Sequence, residues 1–166
     1  MQLTSSEAAK LLRKLNDELE SLNNLEQQSQ LFTISVGEKE EDVRPAYDYA
    51  LTRDKINELE GKIRRLKHAV NQFNCSTAVP GFDMTIDQML IYLPQLHAKK
   101  DKLAGMKNRL PKTRMTRYNS NLVEYNIVNY DLEQVAADFE SVSDELFKAQ
   151  NALDLVNSSI SFTVEL

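Results

Sequence analysis

Apolar positions along the chain fall into four long helical stripes separated by shorter segments of different character. Ala8, Leu12, Leu15, Leu19 and Leu22 recur at alternating steps of four and three, the spacing of one helical face. Ser5 or Ser6 is placed to cap that helix, and Asn23-Asn24 weakens its end somewhere before Leu31. A second stripe runs through Tyr49, Thr52, Ile56, Leu59, Ile63, Leu66, Val70 and Phe73, with Pro45 expected in its first turn. Glu58 with Lys62 and Glu60 with Arg64 form favourable pairs one turn apart on its outer face. The third stripe, Ile86, Met89, Leu90, Leu93, Leu96, Leu103, Met106 and Leu110, follows a Thr85 cap, is interrupted at Lys100 and meets Pro94, which predicts a kink or break. The fourth opens at Asp131 and keeps a strict heptad through Leu132, Val135, Phe139, Val142, Leu146, Ala149, Leu153, Val156 and Ile160.

Two stretches between the helices read differently. Leu31 to Val36 is β-branched and aromatic with period-two alternation, which predicts a short strand ended by Gly37. Residues 114–130 hold a second β-like region, with Val123, Tyr125, Ile127 and Val128 as its strand and Asn119-Ser120-Asn121 as a turn. It would pair either with Leu31–Val36 or with Arg114–Tyr118 in a hairpin of its own. Ser161 to Val164 would leave the last helix as a terminal strand. The expected fold class is mainly α: an antiparallel bundle of about four long helices with coiled-coil-like packing and a small β-ribbon, in one domain over residues 1–166. A narrow heptad seam must be covered, by another stripe of the same chain or by a second copy, and this points to a homo-oligomer.

Composition supports a globular helical chain. Of 166 residues 42% are apolar and 27% charged, and only 4 Gly and 4 Pro interrupt them. The single cysteine, Cys75, rules out an intrachain disulfide. The longest strongly apolar run, Met89 to Leu93, falls far short of the ~18 residues that span a bilayer. The first residues carry no basic segment followed by an apolar one, so a cytoplasmic location is expected.

Charge changes the picture locally. The net charge of −5 disfavours general nucleic-acid binding. Yet Lys99, Lys100, Lys102, Lys107, Arg109, Lys112, Arg114 and Arg117 stand against only Asp101, whereas the last helix is strongly acidic. The basic stretch either contacts phosphate, with Tyr118 and Tyr125 nearby for stacking, or faces an acidic helix of this chain or a neighbour.

Chemistry-bearing motifs are scarce. A di-metal carboxylate site in a bundle needs Glu three residues before His, but Arg65 precedes His68 and Pro94 precedes His97 at that distance. Glu38-x-x-Glu41 has a magnesium-ladder spacing without a downstream partner motif, and it falls in a charged loop. No glycine-rich phosphate loop and no nucleophile elbow occur, and Cys75 has no positioning signal. The expectation is a non-enzymatic protein without metal or cofactor.

The junction Val70-Asn71-Gln72-Phe73-Asn74-Cys75-Ser76-Thr77 before Met84-Thr85-Ile86, with Arg117-Tyr118-Asn119-Ser120 and the run from Leu155-Val156-Asn157-Ser158-Ser159 to Thr163-Val164-Glu165-Leu166, resembles the small, mostly bacterial septicolysin-like proteins. Asn71, Asn74 and Thr77 match that family's Asn-x-x-Asn-x-x-Thr wording. The resemblance spans most of the chain and implies a helical fold with no established activity. It supplies no catalytic residue to carry over. A cleft lined by Asn71, Asn74, Thr77, Arg117 and Tyr118 would be the place to look for a ligand, although the same residues can cap helices and satisfy turns. Three functions follow: a self-associating helical interaction or scaffold protein; a membrane-active, toxin-like protein, as the family label implies; or a nucleic-acid-binding module using residues 99–117.

Overall fold

The computed structural model describes residues 1–115 and 123–166. The elements are β1 (Gln2–Thr4), α1 (Ser5–Ser29), α2 (Glu40–Val43), α3 (Tyr49–Ser76), α4 (Ile86–Lys107), β2 (Lys112–Met115), β3 (Glu124–Ile127), α5 (Leu132–Ser159) and β4 (Ser161–Thr163). The chain is thus mainly helical, with small two-stranded antiparallel sheets, as the stripes predict. No helix among the described residues is long and apolar enough to cross a membrane. Two compact units divide the chain: Met1–Ser76 with Asn157–Leu166, and Thr77–Val156.

In the first unit α1 and α3 form a helical hairpin. Glu18, Ser21 and Leu22 line one groove with Lys55 to Lys62, and Asn16 and Leu19 line another with Glu60 to Asn71. Moving back along α1 therefore moves forward along α3, and the two are antiparallel. Ala8, Leu15, Ile63, Leu66 and Val164 form the buried centre, flanked by Leu11, Leu12, Leu19, Leu59 and Phe162. The apolar stripe face is removed from water here, at roughly 25 cal/mol per Å² of buried apolar surface. α1 starts at Ser5, but its cap lies one residue before the expected serines: Thr4 is the N-cap, and Thr4 with Glu7 forms a reciprocal capping box. The helix passes through Asn23-Asn24 without a break and runs to Ser29.

The termini of this unit close on each other. β1 pairs antiparallel with β4, Leu3 opposite Phe162, and the Val164 N–H donates to the Met1 carbonyl at 2.9 Å. Phe162 stacks on Phe73 of α3 with ring centroids 4.8 Å apart. The terminal strand matches expectation; its partner at Gln2–Thr4 had no signature, because three residues are too few to show a period.

Two expectations are corrected in the connection between α1 and α3. Leu31–Val36 forms no strand. Its local propensity is strand-like, but a strand exists only through hydrogen bonds to a neighbour, and β2 and β3 pair with each other instead. Pro45 lies outside α3, which starts at Tyr49, where the Asp48 carboxylate accepts the Leu51 N–H at 3.0 Å. Pro45 acts backwards: it holds Arg44 extended, at φ −66° and ψ 122°, and so ends the single turn of α2. Tyr49 consequently drops out of the core and is exposed.

In the second unit α4 and α5 run antiparallel. Going forward on α4 from His97 to Lys107 takes the hydrogen-bonding partner back on α5 from Gln150 to Glu140. Ile86, Met89, Leu96 and Leu103 are buried on α4, and Val135, Val142, Leu146, Ala149, Leu153 and Val156 on α5. Thr85 caps α4 as expected, in a capping box with Gln88. The entry to α4 is a tight turn, Phe82 N–H to Val79 carbonyl at 3.1 Å, with Pro80-Gly81 at its centre and Gly81 at φ 82°. Pro94 does not break α4, which continues from Ile86 to Lys107. Pro94 and Leu90, whose carbonyl loses its helical donor, are both exposed, so water can satisfy that carbonyl. Leu90 and Leu110 of the expected stripe face solvent, as does Ile160 beyond the end of α5.

Candidate functional site

The feature that stands out chemically is the ribbon between α4 and α5. β2 and β3 pair with Lys112 opposite Ile127, Thr113 opposite Asn126, Arg114 opposite Tyr125, and Met115 opposite Glu124. Side chains alternate across a strand, so the register sorts the ribbon into two faces. Lys112, Arg114, Tyr125 and Ile127 share one, which Val123 extends by the same alternation. Thr113, Met115, Glu124 and Asn126 share the other. The first face is open to solvent: Ile127 is 69% exposed, Val123 55% and Tyr125 48%. The Lys112 ammonium sits 4.1 Å from the centroid of the Tyr125 ring, a cation–π contact worth about 0.5–1 kcal/mol at an exposed position.

The base of the ribbon is firmer. The Val128 N–H donates to the Pro111 carbonyl at 3.0 Å and lengthens the ladder. The Tyr130 hydroxyl donates to the Met106 carbonyl in the last turn of α4 at 2.9 Å. Asp131 then caps α5, its carboxylate accepting the Glu133 N–H at 2.8 Å. A shallow groove at this base is lined by Arg109, Leu110, Thr113, Asn126, Ile127 and Tyr130, among others.

The basic stretch divides into two parts. Lys107 pairs with Glu140 of α5 at 3.0 Å and lies 4.4 Å from the Phe139 ring centroid, and Lys100 reaches the same ring at 5.8 Å. This part faces an acidic helix of the same chain, one of the two arrangements expected from the charge pattern. Lys99 and Lys102 are exposed on α4, and Arg109, Lys112 and Arg114 are exposed on or beside the ribbon. Arg109 and Arg114 have no salt bridge among the described residues.

The proposed polar cluster is only partly described. Asn71 is exposed on α3, in the groove shared with Asn16, Arg64 and His68. Asn74 is half-buried in the last turns of α3, and the Thr77 carbonyl just beyond accepts the Ile86 N–H at 2.9 Å. Thr77 therefore serves a turn. Arg117, Tyr118 and the Asn119-Ser120-Asn121 turn lie outside the described residues. Cys75 is exposed, His68 is exposed, and His97 hydrogen-bonds Gln150 at 3.2 Å. Among the described residues no group of three or more His, Cys, Asp or Glu is arranged to hold a metal ion.

The sequence marks the cations of this region and Tyr125 as a stacking ring, and Val123 and Ile127 only as strand formers. That Val123, Tyr125 and Ile127 form an exposed apolar strip beside Lys112 and Arg114 depends on the register. The alternation of 123, 125 and 127 with polar 124 and 126 was the available signal.

These two units define a helical protein that carries a basic, apolar β-ribbon between two antiparallel helices. No family model and no curated protein matches the chain. Among solved structures, the chain is similar to one described as a functionally unknown conserved protein from Corynebacterium diphtheriae, at 16% identity and a TM-score of 0.61, covering 98% of this chain and 100% of that one. At that identity the likeness concerns the fold alone.

Proposed function

We propose that this chain is a non-enzymatic helical interaction protein that self-associates, with the β2–β3 ribbon as its contact surface. The observation that carries this reading is the strip of Val123, Tyr125 and Ile127, exposed on one face of a lone two-stranded ribbon. An isolated two-stranded hairpin is marginally stable in water, and a contiguous exposed apolar strip rimmed by charge marks a binding surface. Covering that strip with another protein surface removes both costs. Lys112 and Arg114 on the same face would select an acidic partner. The family that the sequence resembles has no established activity, so the resemblance does not oppose an interaction role.

Light scattering on the purified protein across the micromolar range tests the proposal. The expected result is a mass above that of one chain that rises with concentration. A clean monomer throughout would remove the self-association claim. Salt-dependent binding to single-stranded nucleic acid, stronger than association of the protein with itself, would instead assign the cationic face to phosphate.

A further inference from the structure

We infer that the Leu31–Val36 segment of one copy adds as a third strand to the free edge of β3 in a second copy. The inference rests on the self-association reading and names its contact. Two unfinished features of the chain complement each other.

The first is Leu31–Val36. It is strand-prone and alternates, with Phe32, Ile34 and Val36 on one side and Leu31, Thr33 and Ser35 on the other. All six residues are exposed. Within it, the backbone bonds among the described residues involve only Ser35, which exchanges contacts with Glu38 at 2.8 and 3.1 Å in the turn at Gly37. Leu31 to Ile34 thus offer unpaired backbone groups on an apolar strand sequence, a template for pairing with another chain.

The second is the ribbon. Among the described residues β2 and β3 pair as a two-stranded sheet, so each has one edge without a strand beside it there. Of the two faces that a strand added at β3 can present, the one that seats apolar on apolar puts Phe32, Ile34 and Val36 beside Val123, Tyr125 and Ile127. Aromatic and β-branched cross-strand neighbours are the favourable ones. The third strand also brings the ribbon to the size at which a sheet with an apolar face becomes stable.

Charge selects a second copy of this chain. Leu31–Val36 runs directly into Glu38, Glu41 and Asp42, against Lys39, with Glu40 and Arg44 paired to each other. The ribbon and its base carry Arg109, Lys112 and Arg114 against Glu124 and Asp131. An apolar strand with an acidic flank therefore meets an apolar face whose cations, Lys112 and Arg114, stand on the neighbouring strand β2. The two patches differ, so the contact is heterologous.

The experiment uses two full-length variants and sedimentation velocity. Ile34→Pro removes a strand N–H and fixes the backbone at an exposed residue outside every helix, so the helical melt should not change. Ile127→Asp places a carboxylate on the receiving strand. Each variant alone should weaken association by at least about tenfold. Their equimolar mixture should recover a dimer, since Leu31–Val36 is intact in one variant and β3 in the other. Added salt should weaken association of the parent protein. A parent chain that is monomeric fails the self-association reading and this inference with it. A parent that associates while Ile34→Pro associates equally well overturns the strand addition alone. Two monomeric variants whose mixture stays monomeric overturn it as well.

Discussion

The Tyr92 hydroxyl on α4 donates a hydrogen bond to the Glu145 carboxylate on α5, joining residues 53 positions apart. That bond, with burial next, raises the Tyr92 pKa above its ordinary value. A group whose pKa is higher in the folded state stabilises fully below its unfolded pKa, and that contribution is lost as pH rises through the folded value. The loss should therefore begin above about pH 10, where a free tyrosine ionises. Tyr92→Phe should flatten the alkaline limb of the melting temperature against pH. Parallel alkaline limbs for the two proteins would show that the bond does not couple to folding.

Leu66 stands at the centre of the α1–α3 core with no exposed surface. Leu66→Ala should cost about 2–5 kcal/mol, from lost transfer energy and the cavity left behind. Denaturant unfolding measures it as a lower midpoint at unchanged slope. The exposed Leu90→Ala serves as the contrast and should move the midpoint little.

Gly61 occupies a buried position inside α3 without needing to be glycine. A Cβ there would meet only the Arg65 guanidinium, at 3.5 Å, an ordinary contact with the mobile end of a side chain. Gly61→Ala should thus raise stability by about 0.5–1 kcal/mol, through helix propensity and the entropy of the unfolded chain. A higher denaturation midpoint checks this; a lower one would mean that the Arg65 side chain cannot give way to the added methyl group.

Lys107 and Glu140 form a bridge at 3.0 Å with side chains 36% and 68% exposed. Solvent screens such a pair, so a double-mutant cycle with Lys107→Ala and Glu140→Ala should return only about 0.2–1 kcal/mol of coupling. The coupling should shrink further at high salt. A larger, salt-insensitive coupling would contradict the exposed geometry.

The helices were readable because their determinants are local. The Leu12–Leu15–Leu19 and Leu146–Ala149–Leu153 spacings each define a face within one element, and Thr85 with Gln88 closes a cap within one turn. Pro94 does not break α4 because its cost depends on exposure: with Leu90 facing water, solvent can replace the missing hydrogen bond. The polar cluster around Asn71 comes from short motifs of a family resemblance, and of it the structure describes Asn71, Asn74 and Thr77, whose carbonyl also accepts the Ile86 N–H at the start of α4.

By itself the sequence determined which stretches are the four long helices, roughly where α4 and α5 begin, and that a small ribbon lies between them, but not the single turn of α2. Local hydrogen bonds close within a few residues, and apolar spacing fixes the buried face. Only the tertiary structure decided which strand-prone stretches become strands. Leu31–Val36 has the stronger propensity and stays unpaired, while Gln2–Thr4, too short to show any pattern, finds β4. The same holds at the ribbon, where register alone sets Tyr125 and Ile127 beside Lys112 and Arg114 on one open face. A strand is completed by a partner distant in sequence, and that partner is a property of the folded chain.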